Sequence, residues 1–177
     1  MGLFDGHIDE DSEKVLPRYY ADLEQKWRSY KESMPAPFDC LSETYEKLAG
    51  VLALKAKLGI RIKRSYDERQ RDELTNIVNT ELPELYRHVE ALRVAHRRMW
   101  MITYKAFGWE VLDIRYGGLM ARIKSTGDRL MDYVEGRVTE LEELEVQRLI
   151  FDQNDVPTAP LNVNASYQVI VTAGSLT

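Results

Sequence analysis

Apolar residues in this chain return at alternating steps of four and three, a spacing that serves an α-helix with one buried face. The first run is Leu16, Tyr20, Leu23, Trp27, Tyr30 and Met34, and it predicts a helix from about Val15 to Glu32. Pro17 suits the first turn of that helix, where its missing N–H costs nothing; Pro35 and Pro37 then force a break. A second helix is expected from Asp39, read as its N-cap, to about Arg64. It carries two stripes, one of Leu41, Tyr45, Leu48 and Leu52 and another of Val51, Leu54 and Leu58, as a helix packed between neighbours would. Ser65 to Glu68 has capping-box spacing and should open a third stretch reaching about Tyr104. Its seam is Leu74, Val78, Leu85, Val89, Leu92, His96, Met99 and Thr103, with Pro83 expected to kink or restart it. A fourth seam follows Phe107-Gly108: Trp109, Leu112, Tyr116, Leu119, Ile123, Thr126, Leu130 and Tyr133, with Gly136 ending the helix. A fifth helix, Val138 to Phe151, should carry a Glu-rich outer face.

The expected fold is therefore all-α, a bundle of about five mostly long antiparallel helices. Residues 1–13 read as a junction, 14–152 as the bundle, and 153–177 as a loop followed by one extended strand, Tyr167 to Thr172. A lone strand leaves backbone groups without partners. It must pair outside the helical set, lie along the bundle, or add to another chain.

A chain of 177 residues can bury one real core, and 44% hydrophobic with 30% charged residues is a globular profile. The net charge of −5 argues against a nucleic-acid footprint, which needs a concentrated basic face. No stretch approaches the roughly 20 apolar residues of a membrane span. Met1 to Gly6 shows neither a basic n-region nor an apolar h-region, which favours the cytoplasm, although the start reads as a cut into a longer chain. Cys40 is the only cysteine, so neither an intrachain disulfide nor a multi-cysteine zinc site can form; a packed thiol is the expected role.

Catalytic constellations are scarce. Di-iron bundles repeat Glu-x-x-His so that two ligands project together into the core. Here Glu84 with His88 and Glu90 with His96 have the wrong spacing, and His96 on an apolar seam reads as a core histidine. Neither a Gly-x-Ser-x-Gly elbow nor a phosphate-cradling glycine loop is present. Glu140, Glu142, Glu143 and Glu145 read as a solvated helix face. No cofactor or metal is expected.

The most unusual stretch is 107–123. Glu110, Asp113, Arg115 and Arg122 are set in an otherwise apolar helix, and Gly117-Gly118 costs roughly 1 kcal/mol per glycine relative to alanine. Two readings remain open. The charges pair inside the bundle and the glycines allow tight packing, or Trp109, Glu110, Asp113, Arg115, Gly117, Gly118 and Arg122 form a contact surface for another domain or subunit.

The run from Phe107 through Asp113, Arg115, Tyr116-Gly117-Gly118-Leu119, Arg122 and Leu130 resembles the C-terminal helical domain of bacterial family-20 glycoside hydrolases. So do Asp132-Tyr133, Gly136-Arg137-Val138, Glu140 to Glu145, the opening Leu3 to His7 and the closing Tyr167 to Gly174. The resemblance implies a parent exo-β-N-acetylhexosaminidase that removes terminal β-linked N-acetylhexosamine by substrate-assisted chemistry, with an Asp–Glu pair on a (β/α)8 barrel. No counterpart of that pair can be placed on this sequence. It further implies a non-catalytic domain that packs on the catalytic barrel of the same protein and supports a homodimer. A free-standing helical interaction module is the alternative.

Overall fold

The computed structural model describes residues 10–146, with side chains from residue 14 onward. Six α-helices occupy this span: α1 Glu10–Ser33, α2 Asp39–Asp67, α3 Arg71–Asn76, α4 Leu82–Thr103, α5 Trp109–Val134 and α6 Glu142–Glu145. A single π-helical turn, Ile77–Glu81, joins α3 to α4. The described residues contain helices and no strand, so the all-α expectation holds for them. The strand expected at 167–172 lies outside the described residues.

The long helices run antiparallel in chain order, and charged pairs record the register. Glu46 of α2 meets Arg28 of α1 at 3.1 Å, and Glu43 meets Lys31 at 3.6 Å. Arg98 near the end of α4 bonds Asp39 and Glu43 at the start of α2, each at 2.7 Å, and Arg61 at the other end of α2 bonds Glu81 at 2.7 Å. Arg93 of α4 meets Asp113 of α5 at 3.1 Å. The Arg98 guanidinium holds the Asp39 carboxyl below the usual carboxylate range. Burial pushes the Glu46 carboxyl up, but hydrogen bonds from Lys47 and Arg28 outweigh it and hold the group below its ordinary value.

One core runs through the bundle. Val51, Leu58, Ile62 and Tyr66 from α2 join Leu74 and Ile77, then Leu82, Leu85, Val89 and Leu92 from α4, and Ile123, Leu130 and Tyr133 from α5. Leu141 and Leu144 close its end. α1 contributes nothing to this cluster; its substantial contacts are with α2, and none of its described side chains is fully buried.

Several boundaries differ from the periodicity reading. α1 starts at Glu10, so Pro17 lies inside the helix rather than in its first turn. Asp39 is not the N-cap: Phe38 holds that place, and the Asp39 carboxylate is turned to Arg98 instead. Ser65 and Glu68 do not open a helix. Ser65 is buried within α2, and the turn falls at 68–70, where Arg69 takes a left-handed φ of 55°. Pro83 does restart the helix. It sits in the first turn of α4, directly after the π turn, where one widened turn absorbs the hydrogen bond that proline cannot make.

Gly136 ends α5 as expected. With φ at 75°, it lets the Gly136 and Arg137 N–H groups donate to the Tyr133 and Asp132 carbonyls at 3.1 and 2.8 Å, a Schellman closure. Of the fifth helix expected over Val138 to Phe151, the described part contains only the single turn α6; residues 147–151 lie outside the described residues. Tyr66 pins that turn. Its hydroxyl accepts the buried Leu141 N–H at 3.1 Å and donates to the Glu145 carboxylate.

Two substitutions test this core. Leu130→Ala removes a side chain with no solvent exposure and should cost about 2–5 kcal/mol in urea unfolding. Tyr66→Phe should cost about 1–3 kcal/mol, because it orphans the Leu141 N–H. A loss below about 0.5 kcal/mol at both positions, the range of a surface change, would contradict the core assignment.

Candidate functional site

The unusual stretch singled out in the sequence forms the N-terminal half of α5, opened by Gly108 at φ 93°. The Gly108 N–H donates to the Glu110 carboxylate at 2.9 Å, so Glu110 closes the helix start locally. Trp109 does not face outward. It is 4% exposed, with its indole ring against His96 at 5.4 Å, Trp100 at 6.0 Å and Tyr116 at 6.4 Å. The reason is register: Trp109 shares the seam of Tyr116, Ile123 and Leu130, and that seam faces α4 and the core. Its Nε1 is buried without a hydrogen-bond partner among the described residues.

Around it lies a joint of aromatic rings between α4 and α5. The Tyr116 hydroxyl is 3.0 Å from His96 Nδ1, and donating to the neutral imidazole satisfies both groups. Burial lowers the His96 pKa and pushes that of Tyr116 up to about 12. His96 is thus a half-buried histidine held by Tyr116 at the α4–α5 joint, beside the core and not within it. His88 sits within its own helix, Nδ1 lying 3.0 Å from the Glu84 carbonyl. Among the described residues no group of His, Cys, Asp and Glu side chains could hold a metal ion.

The remaining charges divide. Asp113 pairs with Arg93, whose guanidinium is also held by Glu90. Arg115 and Arg122 are exposed and have no ion-pair partner among the described residues. Of the four charges only Asp113 has an ion-pair partner among the described residues, and that pair lies at the exposed edge between α4 and α5 and not inside the bundle. Gly117 is exposed, and a Cβ there would meet nothing within 4 Å, so among the described residues no element approaches its backbone. Gly118 is half-buried.

These positions outline a surface that periodicity did not isolate. Val111, Ile114, Gly118, Ala121 and Ser125 step by three and four along the side of α5 opposite the core seam, with Arg115 and Arg122 along one border. Val111 is 44% exposed and Ile114 59%. Beyond the start of α5, Tyr104 and Phe107 are also exposed.

Sequence reasoning missed one further feature, an open cleft of about 480 Å³ lined by Tyr66, Asp67, Arg69, Arg71, Tyr133 and the 139–145 turn. Its partners come from segments roughly 65 residues apart, as in the Arg71 bond to the Val134 carbonyl, and no local spacing announces that. Asp67 pairs with Lys63 and Glu145 with Tyr66, so these carboxylates serve packing. Glu143, from the expected solvated face, pairs with Arg129 at 3.3 Å.

The described residues make an all-α helical bundle. The sequence matches the family described as Glycoside Hydrolase 20C C-terminal domain over residues 1–163, and the chain belongs to that family. A C-terminal domain of this kind implies a catalytic domain in the same protein. No curated protein matches the chain. No helix among the described residues is long and apolar enough to cross a membrane.

Two outcomes follow, one for α5 and one for His96 of α4. Gly117→Ala in this chain should raise stability by about 0.5–1 kcal/mol, because a better helix former meets open space; a loss would reveal a neighbour at that backbone. His96 gives a pH dependence. Its folded pKa lies below the unfolded value, so the unfolded chain binds the extra proton first. The stability in question is present above about pH 6.5 and lost as pH falls through the folded pKa. Between pH 7.5 and 5.5 the thermal midpoint of His96→Phe should fall less than that of the unaltered chain; equal slopes would contradict the assignment.

Proposed function

We propose that this chain is the non-catalytic helical domain of a β-N-acetylhexosaminidase, and that the outer stripe of α5 is a protein-contact surface. The parent enzyme removes terminal β-linked N-acetylhexosamine by substrate-assisted chemistry on its catalytic domain, while this bundle supplies packing and assembly. The observation that carries the reading is the face of Val111, Ile114, Gly118 and Ala121. Apolar side chains stay in water there beside a glycine, bordered by Arg115 and Arg122 without partners among the described residues. An apolar strip with arginine at its border has the composition of an interface core meeting its rim. Either the catalytic domain or a second copy of the bundle fits it. Trp109, buried against α4, supports that face from beneath instead of anchoring the partner.

The isolated chain should release no nitrophenol from the β-N-acetylglucosaminide above a heat-killed control; release would overturn the non-catalytic reading. In the full enzyme, Ile114→Asp combined with Arg115→Glu should leave unfolding within about 0.5 kcal/mol, as surface changes do. It should alter the assembly mass by light scattering or the thermal midpoint of the catalytic domain. Lost bundle stability with both of those unchanged would contradict the surface.

A further inference from the structure

The cleft beside Tyr66 and Tyr133 lies where two long helices end, α2 at Asp67 and α5 at Val134. Both ends close in the same way. The Arg69 and Gln70 N–H groups donate to the Tyr66 and Ser65 carbonyls at 3.0 and 2.8 Å, the pattern that Gly136 and Arg137 make for α5. At α5 the left-handed residue is a glycine, which adopts that conformation freely. At α2 it is Arg69, the only other kind of residue at positive φ among the described residues, and an arginine is strained there. Most charges around the cleft serve the fold. Arg71 donates to the Val134 carbonyl at 3.3 Å and lies 5.4 Å from the centre of the Tyr133 ring. Asp67 pairs with Lys63, and Glu145 accepts from Tyr66. That leaves the Arg69 guanidinium, the Thr139 hydroxyl and the Glu140 carboxylate, all exposed and without a side-chain partner among the described residues. They border an open space of about 480 Å³, within the range of roughly 300–1,000 Å³ that small-molecule sites occupy.

We propose that this cleft binds a neutral saccharide, with Arg69 donating to its hydroxyls and Glu140 accepting from them. The charges around the cleft select that class. An anion would meet the carboxylates of Asp67, Glu140 and Glu145, and also the carbonyl ends of α2 and α5, where the helix dipoles leave negative charge. A cation would meet Arg69 and Arg71. A neutral ligand rich in hydroxyls avoids both conflicts, because each hydroxyl accepts from a guanidinium and donates to a carboxylate. Sugars carry such hydroxyls in adjacent pairs, and the chain belongs to a glycoside hydrolase family. Tyr66 and Tyr133 are buried, so recognition runs through hydrogen bonds at an open rim and binding is weak, in the millimolar range. Such a site depends on the family membership and not on the contact surface proposed for α5.

The test is a nuclear magnetic resonance titration of the full 177-residue chain, isotope-labelled, with N,N′-diacetylchitobiose. Amide shifts should centre on the lining segments, Tyr66 to Arg71 and Tyr133 to Glu145, and saturate at millimolar sugar. Arg69→Gly relieves the left-handed strain, so this variant should unfold no earlier than the unaltered chain. It should nevertheless bind on the order of ten-fold more weakly, the loss expected for one hydrogen bond to a charged group. A role in closing α2 alone predicts the first effect without the second. Glu140→Gln should weaken binding and leave the thermal midpoint in place. Unchanged affinity in both variants, shifts centred elsewhere, or no shifts at millimolar sugar overturns the assignment. Shifts at the same amides from glycylglycine, with none from the saccharide, assign a zwitterion and overturn it too. Equal binding of lactose supports the saccharide cleft while lending nothing to the hexosaminidase reading, which activity of the full enzyme decides separately.

Discussion

The packing of α2 against α4, with α5 closing the other side, is the interaction on which everything else depends. Leu58 and Ile62 supply the α2 side, Leu85 and Val89 the α4 side, and Ile123 and Leu130 the third wall. Burial of large aliphatic chains is the strongest driving term open to such a bundle, at roughly 1.5–3 kcal/mol for each side chain removed from water. The other features lean on that wall. The π turn adjusts the register of α4 so that Pro83 is tolerated, and Tyr66 reaches from α2 to hold the α6 turn in place. The His96–Tyr116 pair stands where α4 and α5 run side by side.

Charge marks register rather than making a site. Arg98 with Asp39 and Glu43 secures one end of the α2–α4 pair, and Arg61 with Glu73 and Glu81 secures the other. Ion pairs at or near a protein surface add little net stability, so their value lies in selecting one alignment over its neighbours. Their placement also gives several carboxylates a structural role. Glu90, Asp113, Glu143 and Glu145 each have a partner.

Periodicity made the long helices legible because a stripe at steps of three and four reports a buried face whatever its partner. It did so well for α5, whose seam from Trp109 to Tyr133 faces the core. The same signal in α1 is equally regular, yet that helix stays at the edge of the bundle, since periodicity names a face and never says what covers it. Spacing rules misled where they hold by coincidence, as with Ser65 and Glu68 in the last turns of α2 and beyond. Composition misled at Trp109, where a residue common at interface centres is buried inside the domain. Gly117 was legible as an oddity but not in its cause, since what lies beside it is open space.

A bundle with one wall of three helices and a peripheral α1 makes a specific demand on local stability, because opening free energies follow buried contact and not helix length. Native-state hydrogen exchange on this chain measures that demand directly. The account predicts that amides around Leu58–Ile62, Leu85–Leu92 and Ile123–Leu130 exchange together as the slowest group, while those of α1 exchange orders of magnitude faster. α1 amides protected to the same degree as those of α4 would contradict it.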